Sequence, residues 1–111
     1  MHYLREKWTN KNVIYFELKL EEESISRSVS DLIEAFTAIA GILNARFDLS
    51  KHYQEIGFLA PEQKDARWQP LGGSGSLWIY TNYKNEDKRN HLQKLIKACN
   101  MQEDDLILYT V

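Results

Sequence analysis

Residues 13–21 alternate between apolar and polar side chains and give the clearest strand pattern in the chain. A period of two residues predicts a strand with one buried face, and residues 77–83 alternate in the same way. The inner faces of these two strands would carry Ile14, Phe16, Leu18, Leu20, Leu77 and Ile79. The outer faces would carry Tyr15, Glu17, Lys19, Glu21, Trp78 and Tyr80.

Two further stretches have the spacing of an amphipathic helix. In the first, apolar side chains recur at helical intervals at Leu32, Phe36, Ile39, Leu43 and Phe47. In the second, they recur at Leu92, Leu95, Ile96 and Cys99. Ahead of the first stretch, Ser28 and Asp31 have the spacing of a capping box. We therefore predict one helix over residues 29–47 and another that ends near Asn100.

The order of these elements predicts a split β-α-β-β-α-β chain of the α+β class. Residues 67–71 and 77–83 would form a hairpin through the glycine-rich turn at 72–75, and residues 106–111 would be the last strand. This plan is ferredoxin-like, with one antiparallel sheet and two helices on one face. The alternative is a small α/β fold in which the last two strands pair in parallel across a helix. Residues 48–64 have no regular pattern and are interpreted as an insertion.

Length and composition limit the class of protein. A chain of 111 residues with 43% hydrophobic residues suits one domain, 1–111, with its own core. A net charge of −2 gives no general attraction to nucleic acid or to an anionic membrane. The single cysteine, Cys99, cannot form an intrachain disulfide, which fits a reducing compartment. We expect a cytoplasmic protein with no membrane partner.

The chain carries few groups with chemistry of their own. The glycine run at 72–76 precedes a strand rather than a helix, so it is interpreted as a turn and not as a phosphate loop. His2, His52 and His91 stand at no metal-ligand spacing. His52 is the best candidate for acid–base chemistry, with Glu55 as its carboxylate. We assign no catalytic residue, cofactor or metal, and a small enzyme that uses His52 is one alternative.

Aromatic residues give the strongest indication of function. A face left open to water should be mostly polar, and large apolar patches there often mark interaction sites. The predicted outer face carries Tyr15, Trp78, Tyr80 and Tyr109, with Trp68 and Trp8 at its margin. We predict a small intracellular protein–protein interaction domain of the inhibitor, immunity or accessory-subunit type, which binds another protein or itself as a homodimer. In the competing interpretation, residues 48–64 or the N-terminal segment fold over these rings.

The same rings allow an alternative partner. Residues 74–79 keep Gly75, Trp78 and Ile79 at positions of the RNA-recognition octet, although its leading basic residue and first aromatic are missing. To that extent the chain resembles RNA-recognition domains, in which sheet aromatics stack on bases. The resemblance implies RNA or single-stranded nucleic-acid binding, with a basic patch supplied by Lys84, Lys88 and Arg89.

Overall fold

The computed structural model describes residues 2–3, 12–52, 54–71 and 77–110, and only the backbone at positions 2, 3 and 85. Within these residues the chain forms two antiparallel sheets and two α-helices, which confirms the α+β class. The strands are β1 (His2–Tyr3), β2 (Val13–Lys19), β3 (Ser24–Ser28), β4 (Leu59–Ala60), β5 (Trp68–Pro70), β6 (Trp78–Tyr80) and β7 (Leu106–Thr110). The helices are α1 (Leu32–Phe47) and α2 (Asn85–Ala98).

The strands divide between a sheet of order β1-β7-β2-β3 and a second sheet of order β4-β6-β5. The α/β alternative is wrong, because β6 and β7 lie in different sheets and every strand pairing of the described residues is antiparallel. The predicted pairing of β5 with β6 is present, with Pro70 opposite Trp78. The turn at 72–75 that was predicted to join them lies outside the described residues.

A single ferredoxin-like sheet is not confirmed, and the reason lies in the insertion. Strand β4 comes from this segment and pairs with β6 on the side away from β5, with Leu59 opposite Ile79. The Tyr80 amide extends this pairing by donating to the Phe58 carbonyl at 2.9 Å. Because β6 is hydrogen-bonded on both edges, it does not pair with β2. A strand of two residues is too short to show a period, so the sequence pattern does not reveal it.

Strand β2 departs from the predicted alternation at its first residues. Phe16 and Leu18 are fully buried as expected, but Val13 is also fully buried and Ile14 is 43% exposed. The pairing with β7 shifts register between Val13 and Tyr15. This irregularity is a β-bulge, and an extra residue in one strand reverses which side chains face inward. The expectation that Ile14 faces the core is therefore wrong.

Helix α1 begins at Leu32, three residues later than predicted, because its cap is Asp31 and not Ser28. The Asp31 carboxylate accepts a hydrogen bond from the Glu34 amide at 2.8 Å. Ser28 is instead the last residue of β3, a strand with only one apolar side chain, which the pattern does not reveal. Helix α2 is followed, as predicted, by Asn100 in the left-handed conformation, with φ of 57°.

One hydrophobic core joins both helices to both sheets. The inner face of the first sheet contributes Phe16, Leu18, Leu106 and Leu108, and the second sheet contributes Leu59 and Ile79. The apolar stripes of the helices pack against these side chains, and Phe36 of α1 meets Phe58 edge-on with ring centroids 5.4 Å apart. The outer faces of the two sheets therefore carry the predicted aromatic residues Tyr15, Tyr109, Trp68, Trp78 and Tyr80.

Candidate functional site

The second sheet brings together three of the aromatic residues predicted to bind a partner. Trp68 is the cross-strand partner of Tyr80, and Pro70 is the partner of Trp78. Residues opposite one another in an antiparallel pair share a face, and so do residues two apart along a strand. Trp68, Pro70, Trp78 and Tyr80 therefore form one surface, which we call the aromatic face. The rings of Trp68 and Tyr80 are 5.5 Å apart.

Exposure divides the aromatic face into a support and an accessible part. Trp68 is only 8% exposed, whereas Trp78 and Tyr80 are half-buried and Pro70 is exposed. A ring buried to this extent stabilises the sheet but offers little area to another molecule. Trp78 and Tyr80 are therefore the rings of this face with the larger exposed fractions.

Two cations of the segment before β5 lie over the rings of Trp68 and Tyr80. The Lys64 ammonium is 5.4 Å from the centre of the Trp68 ring, and the Arg67 guanidinium is 5.1 Å from that of Tyr80. Arg67 also donates to the Tyr80 hydroxyl at 3.1 Å and is bound on its other side by Asp65 at 2.8 Å. Hydrogen bonds from Arg67 lower the pKa of the Asp65 carboxyl. The segment thus covers Trp68 with Lys64 and places the Arg67–Asp65 ion pair at the rim of the face.

A line of ring contacts connects the aromatic face to the core. Tyr80 meets Tyr83 at 5.1 Å, Tyr83 meets His91 at 4.3 Å, and His91 meets Phe58 at 4.5 Å, all between ring centroids. Burial lowers the pKa of His91, and nearby Lys94 lowers it further, while Asp87 acts in the opposite direction. The buried Nδ1 of His91 has no hydrogen-bond partner among the described residues. The neutral imidazole therefore acts as one more packing ring.

Tyr15 and Tyr109 form a separate pair on the outer face of the first sheet. They are cross-strand partners with ring centroids 5.3 Å apart in an edge-on arrangement, and the Tyr109 hydroxyl donates to Glu17 at 3.4 Å. The single aromatic surface that we expected is thus divided between two sheets, because β6 pairs with β4 and not with β2. The predicted contact residue Trp8 lies outside the described residues.

The three residues of the expected basic patch do not share an exposed surface. Lys84 is exposed, but Lys88 and Arg89 are only 6% and 7% exposed. These two precede Leu92 by four and three residues, so helical spacing places them on the buried stripe of α2. Burial lowers the pKa of Lys88, an effect that the nearby Asp31 carboxylate partly offsets. The spacing from Leu92 was the sequence signal that could have revealed this.

His52 lies at a cleft of about 740 Å³ that forms where both helices end. Its Nδ1 is 3.6 Å from the carboxylate of Glu55, as the enzyme alternative requires, although Glu55 is 77% exposed and does not line the cleft. Cys99 does line the cleft, and burial raises its pKa to about 11. Its thiol is therefore protonated at neutral pH and is not an activated nucleophile.

Within the described ranges, no three or more His, Cys, Asp or Glu side chains are grouped so that they could hold a metal ion. The helices of the same ranges are also too short or too polar to cross a membrane. Comparison with protein-family models finds no match, and neither curated proteins nor solved structures give one.

Proposed function

We propose that this protein is a protein-binding module that contacts its partner through the aromatic face. One observation supports the proposal: Trp78 and Tyr80 stand together on β6 and are only partly buried, while the neighbouring ring of Trp68 is buried. Tryptophan and tyrosine are enriched among the few residues that supply most of the binding energy at protein interfaces. Such residues act best when the rings are held in place before the partner arrives.

The pairing of β6 and the side-chain contacts of Tyr80 supply this rigidity. Strand β6 is hydrogen-bonded on both edges, so its backbone is fixed by β4 and β5. Tyr80 is held by Arg67 on one side and by Tyr83 on another, and Tyr83 leads through His91 to the core. Ordering a flexible side chain on binding costs about 0.5–1.5 kcal/mol, and a ring that is already ordered avoids this cost.

The rim indicates the chemistry of the partner. Lys64 and the Arg67–Asp65 ion pair flank the rings, and complementary charge across an interface speeds association and excludes partners of the wrong charge. The surface that fits is an apolar side chain with a carboxylate placed to meet Lys64. An inhibitor, an immunity-type protein or an accessory subunit would use this kind of contact.

The proposal is tested by capturing partners with three tagged forms of the protein in its own host. These are the wild type, Trp78→Ala and Tyr15→Ala, each recovered with and without nuclease and weighed by native mass spectrometry. Tyr15→Ala is the matched control, because it removes a half-buried ring from the other sheet. We expect a stoichiometric protein partner with the wild type and the control, and none with Trp78→Ala.

Three results would contradict the proposal. One is a bare monomer in every sample, and another is a partner that Trp78→Ala retains while its circular dichroism stays native. The third is bound material that nuclease removes, which would favour the nucleic-acid alternative. That alternative is weakened by the burial of Lys88 and Arg89, because phosphate contacts require exposed cations.

A further inference from the structure

The free edges of the two sheets differ in how they are protected. An exposed strand edge attracts other strands, and proteins usually block it with short strands, prolines, bulges or charges. Strands β1 and β4 have two residues each, and β5 contains Pro70. Strand β3 has five residues without proline and pairs with β2 without a register shift. Among the described strands, β3 is therefore the longest edge without proline or bulge, and Arg27 is its one charged residue.

The hydrogen bonds that frame the β2–β3 hairpin show which groups of β3 point outward. The Leu20 amide donates to the Glu23 carbonyl at 2.7 Å, and the Val29 amide donates to the Ile14 carbonyl at 2.9 Å. Backbone bonding alternates from residue to residue along an antiparallel pair. Ile25 and Arg27 thus direct their backbone groups toward β2. The amides and carbonyls of Ser24, Ser26 and Ser28 point away from the sheet.

We propose that two copies of this chain pair through β3, antiparallel about a two-fold axis at Ser26, to join their sheets into one. In this register each Ser26 faces Ser26 of the second copy, and Ser24 faces Ser28 of the second copy. Each serine pair then exchanges backbone hydrogen bonds in both directions. This dimer uses a different surface from the aromatic face and does not depend on the function proposed above.

The side chains of β3 fit a second copy better than they fit an arbitrary strand. Arg27 faces Ile25 of the second copy, so the two arginines are not directly opposite and their aliphatic stems can cover the half-buried isoleucines. Like charges directly opposite one another would destabilise the pairing, and this register places the two arginines diagonally, two positions apart on the same face, and not opposite. The small serine side chains on the other face leave the approach of the second copy open.

The register is tested by disulfide trapping under mild oxidation. Ser26→Cys should form a covalent dimer, because residues opposite in a hydrogen-bonded pair have Cα atoms about 5.5 Å apart, within disulfide range. Ser24→Cys alone should not, but a mixture of Ser24→Cys and Ser28→Cys proteins should. Lys94→Cys, on the exposed face of α2, is the control for random collision. The native Cys99 is 6% exposed and does not interfere.

Sedimentation velocity over a range of concentrations tests the dimer without a crosslink. Ser26→Pro removes an outward amide and leaves the bonds to β2 intact, so it should abolish the dimer, whereas Ser26→Thr should retain it. Circular dichroism reports whether each variant is folded. If Ser26→Pro is unfolded, the disulfide pattern decides whether two copies pair through β3. A wild type that is monomeric at every concentration overturns the proposal. So does a folded Ser26→Pro dimer, or equal crosslinking of Ser26→Cys and Lys94→Cys.

Discussion

The imidazole of His91 lies 4.3 Å from the ring of Tyr83, between centroids, and the two planes meet at 63°. This contact links the middle of α2 to the aromatic face, since Tyr83 in turn touches Tyr80. On its other side His91 packs against Phe58, which belongs to the core. Tyr80 is thus part of a continuous aromatic cluster that reaches the core, and a change in the charge of His91 would act on both the core and the surface.

Acid should destabilise the protein through His91. Its pKa is lowered in the folded state, first by burial and then by Lys94, whereas the unfolded chain has the usual value of about 6.5. As pH falls through that value the unfolded state binds more protons, so the stability that the neutral imidazole provides is complete above about pH 6.5 and is lost below it. Urea unfolding at several pH values measures this loss.

His91→Phe keeps a ring in the cluster and should remove the part of the pH dependence near pH 6.5. His52→Gln is the control, because it removes a histidine that lies at the cleft, outside the ring cluster. The lowered carboxyl pKa values of Asp48 and Asp65 affect stability only near and below their usual values of about 4, so they do not overlap with this window. An identical pH profile in wild type and His91→Phe would show that His91 is not responsible.

Trp68 and Trp78 should differ in what they contribute to stability, although both stand on the aromatic face. Trp68 is 8% exposed, and replacing such a ring with alanine costs about 3–5 kcal/mol of unfolding free energy. Trp78 is only partly buried, so its replacement should cost less than that of Trp68, by about 1 kcal/mol or more. Denaturant unfolding of the two alanine variants gives both values. If Trp78→Ala proved the more destabilising, the division into support and contact ring would be incorrect.

The sequence predicted those elements whose apolar residues repeat often enough to reveal a period. Strand β2 and both helices were found in this way. The predicted hairpin of residues 67–71 and 77–83 grouped Trp68, Trp78 and Tyr80. The sequence could not show that Leu59 pairs with Ile79, because a two-residue strand has no measurable period. This one pairing separates Tyr15 and Tyr109 from the other rings, so only part of the predicted aromatic surface is brought together.

Of two other differences between prediction and structure, one had a cause that the sequence contains and one did not. The spacing of Lys88 and Arg89 from Leu92 places them on the buried stripe of α2, but their charge suggested a solvated patch. The bulge near Ile14 has no such signal, because it depends on the register with β7. Single-strand patterns therefore describe the hydrophobic faces well, and the pairing between distant strands decides the details.

The cap of α1 should be a measurable part of its stability. Asp31→Ala removes the acceptor for the Glu34 amide, and the loss of such a cap typically costs about 1 kcal/mol. Ser28→Ala should cost less than about 0.5 kcal/mol, since Ser28 lies exposed at the end of β3. Asp31→Asn keeps the cap but removes the charge near Lys88, so it isolates that electrostatic effect. Equal losses for Ser28→Ala and Asp31→Ala would contradict the assigned helix start.

Cys99 should react slowly with thiol reagents in the folded protein. Burial raises its pKa from the model-compound value of 9.0 to about 11, and each pKa unit lowers the thiolate fraction at neutral pH about tenfold. The reaction with an aromatic disulfide reagent should therefore be at least about 100-fold slower than that of a free thiol. Its rate should keep rising with pH beyond 9, and denaturant should restore the ordinary rate.

This measurement also tests whether His52 activates Cys99, because both residues line the same cleft. A histidine that activates a cysteine holds it as a thiolate, and such a thiol reacts fast at neutral pH with little further gain in alkali. His52→Gln serves as the control and should leave a slow reaction unchanged. Fast reaction that His52→Gln abolishes would instead show an activated nucleophile, and it would shift the function from the aromatic face to the cleft.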